Sequence, residues 1–255
     1  MIDVNLYSGE YPFRRLPQNK GEEFLRLLNA IGAEFGVVTP FYSIFYKDNL
    51  DGLRRGIEEC SGCGGRLRYY LTLNPAFPGW QQDLEDSMNQ LGVVAVRLWA
   101  TYHHYDLLDE RVLALCEQAA AWQLPVCLTR RLVDDRLHHW LLNVHPFDTV
   151  QLQGLLKQCR STTFILSQFY ATEIEALAEV IKLHGSTYVD IGNAKPRVFW
   201  FDEITQILPA DRLLLGTGAP LYYHEGTLMA VREAKLTDEE RQLLLHDNAT
   251  RLFRI

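Results

Sequence analysis

Short runs of β-branched and other apolar residues recur along the chain, at Ile2–Tyr7, Phe35–Thr39, Leu67–Leu73, Val93–Trp99, Pro125–Thr129, Thr163–Ser167, Thr187–Ile191 and Arg212–Gly216. Between them the apolar positions return every three or four residues, as in Phe24, Leu27, Leu28 and Ile31, in Val112, Leu115, Cys116 and Ala119, and in Ile174, Leu177 and Ile181. The first pattern predicts strands and the second amphipathic helices. No two strand candidates are joined by a two-residue hairpin turn, which favours parallel pairing. Eight strand–helix units in this order predict an α/β fold, a single-domain (β/α)8 TIM barrel spanning residues 1–255, with a doubly wound open sheet as the alternative. Thr237-Asp-Glu-Glu240 has the form of a capping box and predicts the start of the last helix, with Leu243 and Leu244 on its inner face.

The run Leu213–Leu215 ends in small residues and a proline, Gly216-Thr-Gly-Ala-Pro220. A strand buried on both faces looks like this, and the residues that follow it belong to the C-terminal rim, where such sheets place their chemistry. The length of 255 residues and the 47% hydrophobic content suit one barrel of roughly 250 residues. A net charge of −7 and the lack of a basic run argue against nucleic-acid binding. No apolar stretch of about 18 residues is present, so no membrane span is expected. Met1 leads directly into a strand, and a cytoplasmic location is expected. Five cysteines suit a reducing compartment better than a disulfide framework.

Several segments carry a family resemblance. Asp211-Arg-Leu-Leu-Leu-Gly-Thr-Gly-Ala-Pro220, Ile2-Asp-Val-Asn5-Leu-Tyr7, Leu124-Pro-Val-Cys-Leu-Thr129, Phe164-Ile-Leu-Ser-Gln168 and Asn248-Ala-Thr-Arg-Leu-Phe253 resemble strand and closing motifs of the amidohydrolase-related, metal-dependent hydrolases. Asn74-Pro75 after the third strand and Leu91-Gly-Val-Val-Ala-Val-Arg97 as the fourth fit as well. The resemblance implies a TIM barrel and would place metal ligands at five positions. Here those positions hold Asn5 and Tyr7 for a histidine pair, Thr129 and Gln168 for two further histidines, and Gly218 for an aspartate. Amide, hydroxyl and phenol oxygens bind transition metals poorly, so no metal and no other cofactor is expected at this place.

Other chemistry is available along the chain. Cys60-Ser-Gly-Cys63 has the spacing of half a zinc site or a redox motif, but no second pair accompanies it, and a turn is the simpler expectation. Asp134/His138 and Asp135/His139 would be i, i+4 pairs if that segment were helical. At the expected rim stand Asn5, Tyr7, Asn74, Arg130, Arg131, Asp135, Arg136 and Gln168, candidates for binding a small anionic molecule. Strand parity with Cys127 and Thr129 favours Arg131 over Arg130 as the inward arginine. His103 is the candidate general acid or base, with Asp190 and Asp3 as candidate carboxylates. Asp3 shares period-two parity with Asn5 and Tyr7, so it is expected to face the barrel interior. Two functions are compatible with this rim: a metal-independent hydrolase or decarboxylase of a small carboxylated compound, or a non-catalytic barrel that binds a ligand or serves in assembly. A homo-oligomer stays open.

Overall fold

A computed structural model describes residues 1–194 and 200–255. Its strands are β1 (Ile2–Ser8), β2 (Phe35–Pro40), β3 (Leu67–Thr72), β4 (Val93–Leu98), β5 (Val126–Thr129), β6 (Phe164–Ser167), β7 (Thr187–Asp190) and β8 (Leu213–Leu214). They pair in sequence order, each parallel to the next. Backbone hydrogen bonds from Val4 N to Leu215 O (2.8 Å), Gly218 N to Asn5 O (2.8 Å) and Tyr7 N to Ala219 O (2.9 Å) join β1 to the segment following β8 and close the barrel. The expected (β/α)8 architecture is therefore the observed one, and the open sheet is not.

The packing follows from alternation along the strands. Outward residues such as Leu6, Val38, Leu71, Val96, Leu98, Leu128 and Leu166 pack with helical stripes including Phe24, Leu27, Leu28, Leu115 and Ile174 in one large core. Ile2, Val4, Val37, Tyr70, Ala95, Cys127, Ile165 and Leu214 form a second, inner cluster with Phe253. A third cluster, with Tyr7, Phe41, Trp99 and Leu132, fills the C-terminal mouth.

Alternation fails at one place that matters. The pairing of β1 with β2 shifts register between Asp3 and Leu6, the mark of a bulge, which changes the face a side chain takes. Val4 joins the inner cluster, and Asn5 and Tyr7 also meet inward groups. The expected shared parity of Asp3 with Asn5 and Tyr7 is corrected accordingly. Its carboxylate is buried but turns to Thr217, accepting from Thr217 Oγ1 (2.6 Å), Thr217 N (3.1 Å) and Asn5 N (3.0 Å).

Two further expectations meet the structure differently. The segment around residues 134–139 contains only a 3-10 turn, Asp135–Leu137, because Asp134 caps it through Arg136 N (2.9 Å) and His138 is extended. The i, i+4 stacking of Asp134/His138 and Asp135/His139 is therefore absent. The capping box is formed, with Thr237 and Glu240 bonding reciprocally at 3.2 and 2.9 Å. Beyond it the helix widens into a π turn over Leu243–Asp247, leaving Leu244 buried and Leu243 half-buried. Asn248 then donates to Ala210 O and Leu213 O (2.8 Å each) at the start of β8.

A candidate site at the barrel mouth

β4 carries an arginine into the centre of the barrel. Arg97 follows Ala95 by two residues, so the alternation that buries Ala95 in the inner cluster aims Arg97 inward as well. Its Nε donates to Thr129 Oγ1 (2.7 Å), Nη1 to Asn5 Oδ1 and Thr39 Oγ1 (3.0 Å each), and Nη2 to Tyr7 OH (3.0 Å) and Ser167 Oγ (3.1 Å). A guanidinium has five N–H donors, and all five are used. The rings of Trp99, Tyr70 and Tyr7 lie 4.8, 5.0 and 5.2 Å from the guanidinium carbon. The side chain is fully buried.

Asp190, at the end of β7, is the nearby counter-charge. It accepts from Asn5 Nδ2 (2.9 Å), Ser167 Oγ (2.8 Å) and Gly192 N (2.8 Å), and Asn5 and Ser167 both receive a bond from Arg97 at their oxygens. Burial pushes the Asp190 carboxyl up to about 6, against the pull of these bonds and of Arg97. Burial raises Asp3 to about 7 despite its three donors, and raises the Tyr7 phenol to about 12. The backbone after β8 must pass close by: a Cβ on Gly216 would stand 2.2 Å from Asp190 Oδ1 and 2.7 Å from Asn5 Cβ.

These residues do not fit a divalent metal. Three of the five positions that resemble metal-ligand positions, Asn5, Tyr7 and Thr129, present neutral oxygens already bonded to a cation. At the fourth, Gln168 is held at φ 63° with both side-chain amide atoms buried and without a partner among the described residues. At the fifth, Gly218 offers no donor side chain, and a Cβ there would meet Tyr222 Cδ2 at 2.8 Å. Among the described residues no group of three or more His, Cys, Asp or Glu side chains could hold a metal ion.

The arginines after β5 converge on one carboxylate, Glu173, that sequence spacing did not suggest. Arg131 is buried and makes a two-pronged pair with Glu173, Nη1 to Oε2 and Nη2 to Oε1 at 2.7 Å each, and also donates to Gln168 O (2.8 Å). Arg130 reaches Glu173 Oε1 at 3.2 Å. Burial would raise the Glu173 carboxyl, but the Arg131 and Tyr170 N bonds outweigh it and hold the group below its ordinary value. Asp135 stands 3.4 Å from Arg131 Nε, and Arg136, 87% exposed, pairs with Asp134. His103 lies beneath the rim, bonded through Nε2 to Ile44 O (2.9 Å), with burial lowering its basicity. Asn74 starts a turn by accepting from Ala76 N (3.0 Å) and lines a separate cavity with Lys47 and Trp80. The structure thus brings Asn5, Tyr7 and Asp190 together around Arg97, brings Gln168 to Arg131, leaves His103 and Asn74 apart from both, and joins Asp3 to the first group only through Asn5 N.

Above this network the mouth is roofed by rings. Tyr7 stacks on Phe41 (5.3 Å), Tyr11 leans on Phe41 (5.1 Å), and Trp99 meets Tyr102 edge to face (5.8 Å). Over the roof lies a cavity of about 580 Å³ between the loop after β1, the loop after β5 and the residues Leu221–Tyr223. Phe13, Trp140 and Tyr223 line it with the cations Arg14 and Arg136. The loop after β5 is held down by histidines: His138 Nε2 lies 3.3 Å from Tyr102 OH, His139 stacks on Phe13 (4.8 Å), and His145 Nδ1 bonds His104 Nδ1 (2.9 Å).

Arg97 and Glu173 escaped the sequence. Arg97 stood inside an otherwise apolar buried strand, and a cation there must be paired, which was the available signal. Glu173 gave none, since it lies 42 residues beyond Arg131.

Comparison with known proteins agrees with this architecture. A search of curated proteins finds no match. Among solved structures, the 2,6-dihydroxybenzoate decarboxylase from Rhizobium superposes with a TM-score of 0.73 at 15% identity, covering 99% of this chain and 98% of that one. A dihydroxybenzoic acid decarboxylase from Polaromonas sp. JS666, with bound manganese and the inhibitor 2-nitroresorcinol, gives 0.74 at 14% identity, covering 99% and 96%. An uncharacterised TIM-barrel protein from Bordetella bronchiseptica gives 0.75 at 15% identity, covering 99% and 98%. The amidohydrolase family model matches residues 8–255, and with that match over nearly the whole chain, on an eight-stranded parallel barrel, the protein belongs to the amidohydrolase family.

Proposed function

We propose that this protein is a non-hydrolytic member of its family that binds a small, flat, carboxylated molecule in the aromatic cavity at the rim, not at the barrel centre. The observation that carries this is the saturation of Arg97: all of its donors, and an oxygen of each residue around it, are committed to one another. A substrate group or an activated water at the centre would have to break buried, charge-assisted bonds. Metal-independent hydrolysis or decarboxylation is less well supported, because His103 is half-buried with Nε2 bonded to Ile44 O and Arg131 is held in a two-pronged pair by Glu173, which Arg130 also reaches.

The rim cavity has what the centre lacks. Its walls are rings that accept a planar molecule by stacking, and Arg14 lies on its edge as the carboxylate donor, Arg136 being paired with Asp134. The structural relatives named for dihydroxybenzoate and 2-nitroresorcinol complexes support a flat, acidic, ring-bearing ligand. Aromatic carboxylates with 2,6-dihydroxybenzoate among them are the probes, read by thermal shift and calorimetry beside product analysis, on wild type, Trp140→Ala and Arg14→Ala. A probe is expected to stabilise the wild type and to be recovered unchanged, and Trp140→Ala should weaken binding by about 1–2 kcal/mol. Catalytic turnover of any probe, or equal binding by wild type and both variants, would sink the proposal.

A further inference from the structure

The centre of the barrel carries an inference independent of any ligand at the rim. We propose that the Arg97 guanidinium is the resident cation of this barrel, standing where a metal-bearing relative would need its ion, and that the cavity it fills is a site selective for planar guanidinium-type cations.

Three kinds of observation support the assignment. Asn5, Tyr7 and Thr129, which resemble metal-ligand positions, each place an oxygen 2.7–3.0 Å from a guanidinium nitrogen. Thr39 and Ser167 complete the shell, so side chains of β1, β2, β5 and β6 all bond one group borne on β4. Asp190 on β7 supplies the negative charge through Asn5 and Ser167 without touching the cation itself.

The chemistry of the shell explains the selectivity. Five neutral oxygens and three ring faces suit a weakly hydrated, flat cation with several diverging donors. A transition metal asks for imidazole, thiolate or carboxylate, and a magnesium ion gives up its waters reluctantly. A spherical ammonium without N–H groups would find the charge but none of the bonds.

Arg97→Ala tests this, because it removes the cation and leaves the five acceptors and Asp190 in place. Its melting temperature is expected to fall by about 6–20 °C, as for a buried charge network that loses one partner in a chain of this size. Millimolar methylguanidinium is then expected to raise the melting temperature of Arg97→Ala by several degrees and to leave the wild type unmoved. Tetramethylammonium and manganese at the same concentration are expected to leave both proteins unmoved. If Arg97→Ala does not accumulate folded, refolding yield from denaturant replaces melting as the readout, with the same three additives. Arg97→Lys, which keeps the charge but only three donors, is expected to fold and to melt between wild type and Arg97→Ala. The proposal is overturned if Arg97→Ala melts like the wild type, if methylguanidinium restores neither stability nor refolding yield, or if manganese restores either one equally well.

Discussion

Gly218 is held at φ +73°, and a Cβ there would lie 2.8 Å from the Tyr222 ring and 3.0 Å from Gln168 Nε2. Replacing it with the aspartate that the family motif carries would add backbone strain, a steric clash and an unpaired charge at one buried position. Gly218→Asp is expected to lower stability by about 3 kcal/mol or more and to gain no metal-dependent turnover. Chemical denaturation with and without manganese checks both parts. Asp190 makes a different residue-scale prediction. Its folded carboxyl sits at about 6, raised from 3.8, so the folded state holds the proton more tightly than the unfolded chain. The stability this contributes is fully present below about pH 4 and is lost as pH rises through about 6. Relative to Asp190→Asn, which cannot titrate, the wild type should lose on the order of 1–3 kcal/mol between those limits. Parallel pH profiles of the two proteins would refute this if their difference were flat. Neither residue's situation was fully legible in the sequence. The glycine was visible as a missing ligand, but its crowding by Tyr222 and Gln168 was not, because it depends on loops that converge only in the fold.

Among the elements, the loop after β5 departs most from what period and spacing implied. No helix forms over residues 134–139, and three histidine contacts hold the loop instead, to Tyr102, Phe13 and His104. The His145–His104 bond needs one ring to donate and the other to accept, so a single substitution removes it. His145→Ala is expected to leave the melting temperature within a few degrees of the wild type and to speed tryptic cleavage at the exposed Arg136 several-fold. Cleavage at an unchanged rate would mean that the other two contacts suffice. Seven strands, by contrast, were legible to within a residue at each end, while the last, expected over Arg212–Gly216, forms over Leu213–Leu214 alone. The bulge in β1 was not legible, because a one-residue change of register leaves no mark on composition, and it moved Asp3 away from the shell that Asn5 and Tyr7 share.

For the molecule as a whole, regular alternation of strand and helix made the barrel readable, and the family motifs made the loss of metal ligands readable. What filled the vacated centre was not, because it required knowing that residues from β1, β2, β5 and β6 converge on one side chain of β4. That convergence also bears on reversibility over evolutionary time. Restoring a histidine at Asn5, Tyr7 or Thr129 alone would take an acceptor from the buried guanidinium, and replacing Arg97 alone would leave its five oxygen partners without a donor. Each of these one-step paths back toward metal chemistry therefore runs through a less stable protein. A lineage in this state would drift more readily at its rim loops than at its centre, and new binding preferences would be expected to arise there.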